Sequence, residues 1–162
     1  AQRHGGQMKL WVVAVGQRLP AWAETACADY LKRFGPDMPL ALRTVRSATR
    51  HHGDATAAIK QEEQAINAAI NKGVYRVVCD ERGQRVTTEA LAKRLQRWQQ
   101  DARDVALIIG GADGLSAEWR DACDEQLRLS DLTLPHALAR VLVLEQLYRA
   151  WSLNHGHPYH RA

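Results

Sequence analysis

Cysteine is scarce in this 162-residue chain, and its placement excludes more than it offers. Cys27, Cys79 and Cys123 are far apart, odd in number and free of any CxxC spacing. That argues against a disulfide scaffold and favours a reducing compartment, the cytoplasm. Long hydrophobic runs are missing too: no apolar stretch could span a bilayer. The run in "MKLWVVAVG" (Met8 to Gly16) is short, and Gln17 and Arg18 interrupt it before any cleavage site. It reads as a buried strand rather than a signal peptide. There is no GK[ST] of a P-loop, no GxGxxG, no internal repeat and no low-complexity segment. The seven residues before Met8 lack an apolar pattern and read as an upstream extension or remnant outside the fold.

What remains is ordinary for a globular protein of one domain, residues 8–162, with a net charge of +4 and a pI near 9.2. A mildly basic balance is compatible with a polyanionic partner without establishing one. Strand-like and helix-like segments alternate along the chain. "KLWVVAVG" is followed by a helical stripe of Trp22, Ala26, Tyr30 and Phe34, and "MPLALRTVR" by a basic loop. A helix then ends toward Gly73 as its C-terminal stop. "VYRVVCD" leads through an "ERGQ" turn into a helix with Leu91, Leu95 and Trp98 on its inner face. "DVALIIGG" is almost wholly apolar, as the centre of a parallel sheet should be. A short helix capped by Ser116 and a fifth strand, "QLRLSDLTL", precede a last helix with Pro135 in its first turn. The pattern predicts an α/β fold with a mostly parallel sheet flanked by helices. Leu138, Val141, Leu142, Val143, Leu144, Leu147, Tyr148 and Trp151 leave the last helix little polar surface. A homodimer interface is favoured over burial within one chain.

Several stretches could carry chemistry. In "IIGGADGLS" (Ile108 to Ser116) a buried strand ends in Gly110 and Gly111, whose lack of Cβ permits positive φ and close approach of a ligand. Ligands of open α/β sheets bind beyond the carboxyl ends of the strands. A structural turn remains an equal alternative here. "LSDLTLPHALAR" (Leu129 to Arg140) places Leu129, Ser130, Asp131, Leu132, Thr133 and Leu134 before a helix N-terminus, where they could clasp a small ligand or simply connect two elements. In the tail "NHGHPYHRA", His155, His157 and His160 do not have a zinc spacing and have no cysteine or carboxylate among them. Pro158 stiffens that tail and Tyr159 can anchor it. The cluster Arg43, Arg46, Arg50, His51 and His52, with Arg161, reads either as solvated surface or as a phosphate-binding patch.

Taken in order, "MKLWVVAVG", "RDVALIIGG", "IIGGADGLS", "LTLPHALAR", "LYRAWS" and the terminal "HPYHR" resemble the ribosomal RNA large-subunit methyltransferase H family, a compact branch of the SPOUT methyltransferases. The resemblance covers essentially the whole chain from Met8. It implies a C-terminal trefoil knot, a homodimer, and S-adenosyl-L-methionine as cofactor. It implies methylation of N3 of a pseudouridine in helix 69 of 23S rRNA within the 70S ribosome, with no metal and no membrane. It carries the cofactor site onto Cys79 and Asp80, Gly110 and Gly111, and Leu129 to Leu134. Cys79 departs from the aliphatic residue usual there. It also points to His160 for proton handling, Arg161 for contact with the base or its phosphate, and Tyr159 for stacking or positioning. The alternatives are a SPOUT enzyme acting on tRNA and a knotted RNA-binding or ribosome-assembly protein without turnover.

Overall fold

The computed structural model describes residues 8–50 and 53–161. The segment before Met8, the histidines His51 and His52 of the basic cluster, and Ala162 lie outside the described residues. Five strands, β1 (Leu10–Val15), β2 (Leu40–Val45), β3 (Tyr75–Arg85), β4 (Val105–Ile109) and β5 (Glu125–Arg128), form one sheet in the order β2-β1-β4-β3-β5. Every pairing is parallel, with Leu10 opposite both Leu40 and Val105, and Tyr75 opposite Val105. All five residues of β4 are buried, which explains why its sequence does not alternate.

Helices cover both faces of the sheet. On one face lie α1 (Ala21–Arg33), α3 (Thr88–Asp101) and α5 (His136–Asn154). Leu10, Val12, Leu107, Ile109 and Leu127 pack there against Leu91, Leu95, Trp98, Leu144 and Leu147. On the other face Val13, Val15, Val78 and Ile108 meet Ile66 and Ile70 of α2 (Thr56–Ala69) and its C-cap, with Leu115 just before the short helix α4 (Ala117–Asp121). Local chemistry sets the helix ends. The Thr87 side chain accepts the Ala90 N–H at the start of α3, and that of Ser116 accepts the Trp119 N–H at the start of α4.

Four expectations change. In α1 the fully buried residues are Ala23 and Cys27; Tyr30 and Phe34 of the expected stripe pack partly buried against the core, while Trp22 is left 55 % exposed. Helix α2 ends at Ala69, before Gly73, which instead serves the following turn at φ +87. Its carbonyl end is met from the sheet, where Arg43 Nη1 donates to Ala69 O at 2.6 Å. "ERGQ" does not end a strand. β3 bulges outward, so that Cys79 and Gln84 both pair with Leu127, and the chain rejoins β5 at Gln84, just after Gly83. A Cβ on Gly83 would lie 2.6 Å from the Leu127 carbonyl carbon, so glycine is required there. Pro135 sits at the N-cap of α5, one step before the first helical turn. Among the described residues, no helix is long and apolar enough to cross a membrane.

Candidate active site

The carboxyl ends of β3, β4 and β5 open into one cavity of about 440 Å³. Three connections wall it: the β3 bulge from Cys79 to Arg82, the turn from Gly110 to Gly114, and the loop from Leu129 to Leu134. Cys79, Asp80, Gly110, Gly111, Leu129, Ser130, Leu132, Thr133 and Leu134 all line it. Asp131 does not. Its carboxylate turns outward to Arg85 at 2.9 Å and Arg128 at 3.4 Å.

The glycine pair works by closeness rather than by unusual dihedrals. Positive φ in this turn falls on Gly114, at +71. A Cβ on Gly110 would stand 2.9 Å from Leu115 Cγ, and one on Gly111 2.9 Å from Glu62 Oε1. Bare backbone therefore faces the cavity because there is no room for anything else behind it. The Asp80 carboxylate accepts the Arg82 N–H at 2.9 Å and lies 3.9 Å from Arg120 Nε, so it stays folded into the rim. Ser130 Oγ accepts the Leu132 N–H at 2.9 Å, which tightens the third loop while leaving Leu132 75 % exposed. Burial, and then the neighbouring Asp80 charge, push the Cys79 thiol up to about 12. It is a small apolar wall residue and not a nucleophile.

Helix α5 supplies the remaining wall through His136, Ala139, Leu142 and Val143. Arg140, 1 % exposed, donates from Nη2 to Gly16 O at 2.8 Å and to His136 Nε2 at 2.9 Å. A guanidinium only donates, so Nε2 accepts and the imidazole proton sits on Nδ1. Burial and the Arg140 charge lower the His136 pKa, against the opposing pull of the nearby Gly110 and Val15 carbonyls and the Glu62 charge. Sequence reasoning missed these four residues. Their apolar spacing on a helix serves a core, an interface or a cavity equally well. Only His136, directly after the third loop, carried a readable hint.

The tail is ordered on a different surface. Gly156 at φ +65 ends α5, and His157 N donates back to Ser152 O at 2.9 Å, a Schellman-type stop. A 3-10 turn, Pro158–Arg161, follows. Tyr159 Oη donates to Glu145 Oε2 at 2.9 Å and lies 3.0 Å from Tyr30 Oη. Its ring meets Tyr148 edge-on at 4.8 Å. Burial and the hydrogen bonds to Tyr30 and Glu145 raise the Tyr159 pKa, so the phenol keeps its proton. His155 stacks on Trp151 at 4.6 Å and His157 packs edge-on to Tyr148, so aromatic packing accounts for both. Among the described residues, no group of three or more His, Cys, Asp or Glu side chains could hold a metal ion. Tyr159, His160 and Arg161 do not line the cavity of their own chain. The basic cluster also divides. Arg43 caps α2 and lies over Trp11, Arg50 turns inward, and Arg46 is exposed.

The chain can be set beside known proteins on this geometry. The family model described as "Predicted SPOUT methyltransferase" matches residues 8–160. A ribosomal RNA large subunit methyltransferase H of Methylibium petroleiphilum is 64 % identical over 155 residues, which covers 95 % of this chain and 99 % of that protein. A protein of the same name from Leptothrix cholodnii is 59 % identical over 155 residues, with the same coverage. Among solved structures, a probable methylase family protein from Haemophilus influenzae aligns with a TM-score of 0.54 at 15 % identity, covering 94 % of this chain and 69 % of that one. That last likeness concerns the fold alone.

Proposed function

The chain belongs to the SPOUT methyltransferase family, and from that membership we propose that it transfers a methyl group from S-adenosyl-L-methionine to ribosomal RNA in the cytoplasm. The acceptor is N3 of a pseudouridine in helix 69 of 23S rRNA, presented by the assembled 70S ribosome. The observation that carries the reading is the cavity at the strand ends, where a bare glycine turn faces a loop of alternating apolar and hydroxyl side chains.

The donor set fits the cofactor. Ile109, Leu132, Leu134, Leu142 and Val143 offer apolar walls to an adenine ring, and Asp80, Ser130 and Thr133 offer acceptors to ribose hydroxyls. The cavity volume is that of a small-molecule site. Of the carboxylates that line it, Asp80 is paired with Arg82 and Asp113 with Arg50, and Arg82 and Arg128 line it too, so the cavity's charge is balanced within the chain. When bound, the cofactor supplies a methyl group already activated on sulfur. The protein's work is then to align the acceptor nitrogen and handle its proton. In this reading His160 takes the N3 proton, and Arg161 steadies the developing anion or a phosphate. Tyr159, its hydroxyl committed to Tyr30 and Glu145, fixes the turn that presents them.

Two copies complete the site in this reading. The tail rests against the middle of α5, while the cavity opens at its first turns. Trp22 and Leu138, 55 % and 42 % exposed on α1 and α5, give a second copy an apolar surface to cover. A partner seated there brings its own tail to the cavity. We infer too that the segment after β5 carries the trefoil knot of the family, a rare exception to unthreaded chains.

The test is transfer of labelled methyl to 70S ribosomes, free large subunits and tRNA, with mass mapping of the modified nucleotide. Labelling of one pseudouridine in 70S particles is expected. Modification elsewhere would overturn the acceptor, and no transfer to any of the three would overturn the activity.

A further inference from the structure

We propose that Arg50 and Glu62 are positioning residues for the cofactor-binding turn Gly110 to Gly114, a strut rooted in a buried carboxylate that sets its backbone before the cofactor arrives. The inference rests on the reading of the cavity as an S-adenosylmethionine site. Neither residue lines that cavity. Glu62 lies on α2 and is 0 % exposed. Its Oε2 accepts the Ala48 N–H at 2.8 Å and Arg50 Nη1 at 3.2 Å. Arg50 in turn donates from Nε to Asp113 Oδ2, and Asp113 lines the cavity.

The same carboxylate reaches the turn a second time. A Cβ built on Gly111 would lie 2.9 Å from Glu62 Oε1 and 3.1 Å from Val15 Cγ1, so the Gly111 backbone packs closely on that buried oxygen, which accepts no hydrogen bond among the described residues. One carboxylate–guanidinium pair therefore braces the turn at Gly111 and at Asp113, from the side away from the ligand. The bland reading is an ion pair that only stabilises the fold, and buried pairs are poor stabilisers because both charges must be desolvated. What the pair holds favours positioning. The turn is glycine-rich, contains a positive φ at Gly114, and closes through the Gly114 N–H on Gly111 O at 3.0 Å. Glycine backbone is entropically expensive to order. A loop ordered beforehand spares that cost when ligand binds. Loss of the strut should therefore weaken cofactor binding and leave the chemical step alone.

The experiment is calorimetric titration of S-adenosylmethionine into the full chain, as wild type, Arg50→Ala, Asp113→Asn and the double variant. Thermal unfolding of each protein and steady-state transfer to ribosomes accompany it. Arg50→Ala is expected to raise Kd and KM for the cofactor about tenfold, with kcat at saturation within about twofold of wild type. The double variant is expected to add nothing to the larger single effect, because one contact is removed twice. Arg50→Gln, which keeps most of the stem, carries the same expectation if Arg50→Ala loses cooperative unfolding. Unchanged Kd in a folded Arg50 variant, or additive losses in the double, would overturn the strut while leaving wild-type binding intact. Wild-type protein that takes up no cofactor would overturn the cofactor reading itself, and the strut with it.

Discussion

Helix α5 serves two regions built in opposite ways. Its first turns wall the cavity, with His136, Ala139, Leu142 and Val143 facing loops from three strand ends. Further along, Glu145 and Tyr148 hold the tail. The cavity closes on itself: glycines pressed against Leu115 and Glu62, and a neutral imidazole pinned by Arg140, leave its walls little freedom. The tail is anchored on α5 by ring packing of His155, His157 and Tyr159 and by the Tyr159 hydroxyl. His160 is half-buried, Arg161 is exposed, and both lie off the cavity. A region satisfied within its own chain suits a cofactor that must be held. A region anchored up to Tyr159, with His160 and Arg161 beyond the anchor, suits groups that act on something delivered from outside.

The sharpest way to break this contrast is in the tail. His160→Ala and Arg161→Ala are each expected to lower methyl transfer about 100-fold, while cofactor affinity measured by titration stays at the wild-type value. Full turnover in both variants would remove the tail from the chemistry. At the cavity the expectation reverses. Gly111→Ala forces a methyl group to within 2.9 Å of Glu62 Oε1, and should cost about 1–3 kcal/mol of stability and most cofactor binding. Chemical unfolding and titration check the two parts separately.

Smaller changes refine the comparison. Tyr159→Phe removes the hydroxyl shared by Glu145 and Tyr30 and should cost about 1 kcal/mol. Transfer should fall several-fold with cofactor binding untouched, and a variant matching wild type would show that the anchor is dispensable. The smallest effect concerns pH. The unfolded His136 protonates near its ordinary 6.5, while in the folded chain burial and Arg140 keep it neutral to lower pH. The unfolded state then holds the extra proton, so stability is full above that value and is lost as pH falls toward the folded one. Melting temperatures from about pH 7.5 down to about pH 5 should fall less for His136→Gln than for wild type. Equal slopes would exclude the contribution.

Much of this was readable before any coordinates. The apolar runs at β1 and β4, the stripe Leu91, Leu95 and Trp98, and the cap at Ser116 follow from periodicity and side-chain chemistry, and the structure bears them out. Two loops of the cavity, at Gly110 and Gly111 and at Leu129 to Leu134, were marked as candidates by strand ends and glycines, and the third, at Cys79 and Asp80, only by the family resemblance. The errors have physical causes. Tyr30 and Phe34 do pack on the core, but Trp22 at the same helical spacing does not, and only packing against the sheet set Ala23 and Cys27 innermost. "ERGQ" carries turn residues whether a strand ends or bulges, and only pairing with Leu127 distinguishes the two.

By itself the sequence determined the order of strands and helices, the apolar centre of the sheet and two of the loops at its carboxyl edge, because these depend on local propensity and short-range pattern. Tertiary structure alone decided that Gly111 must be bare, that Asp131 faces outward, that Arg50 turns inward to Asp113, and that the tail leaves its own cavity. Gly111 answers to Glu62, Asp131 to Arg85 46 residues away, Arg50 to Asp113 63 away, and the tail to Tyr30 129 away. No spacing along the chain encodes such a neighbour.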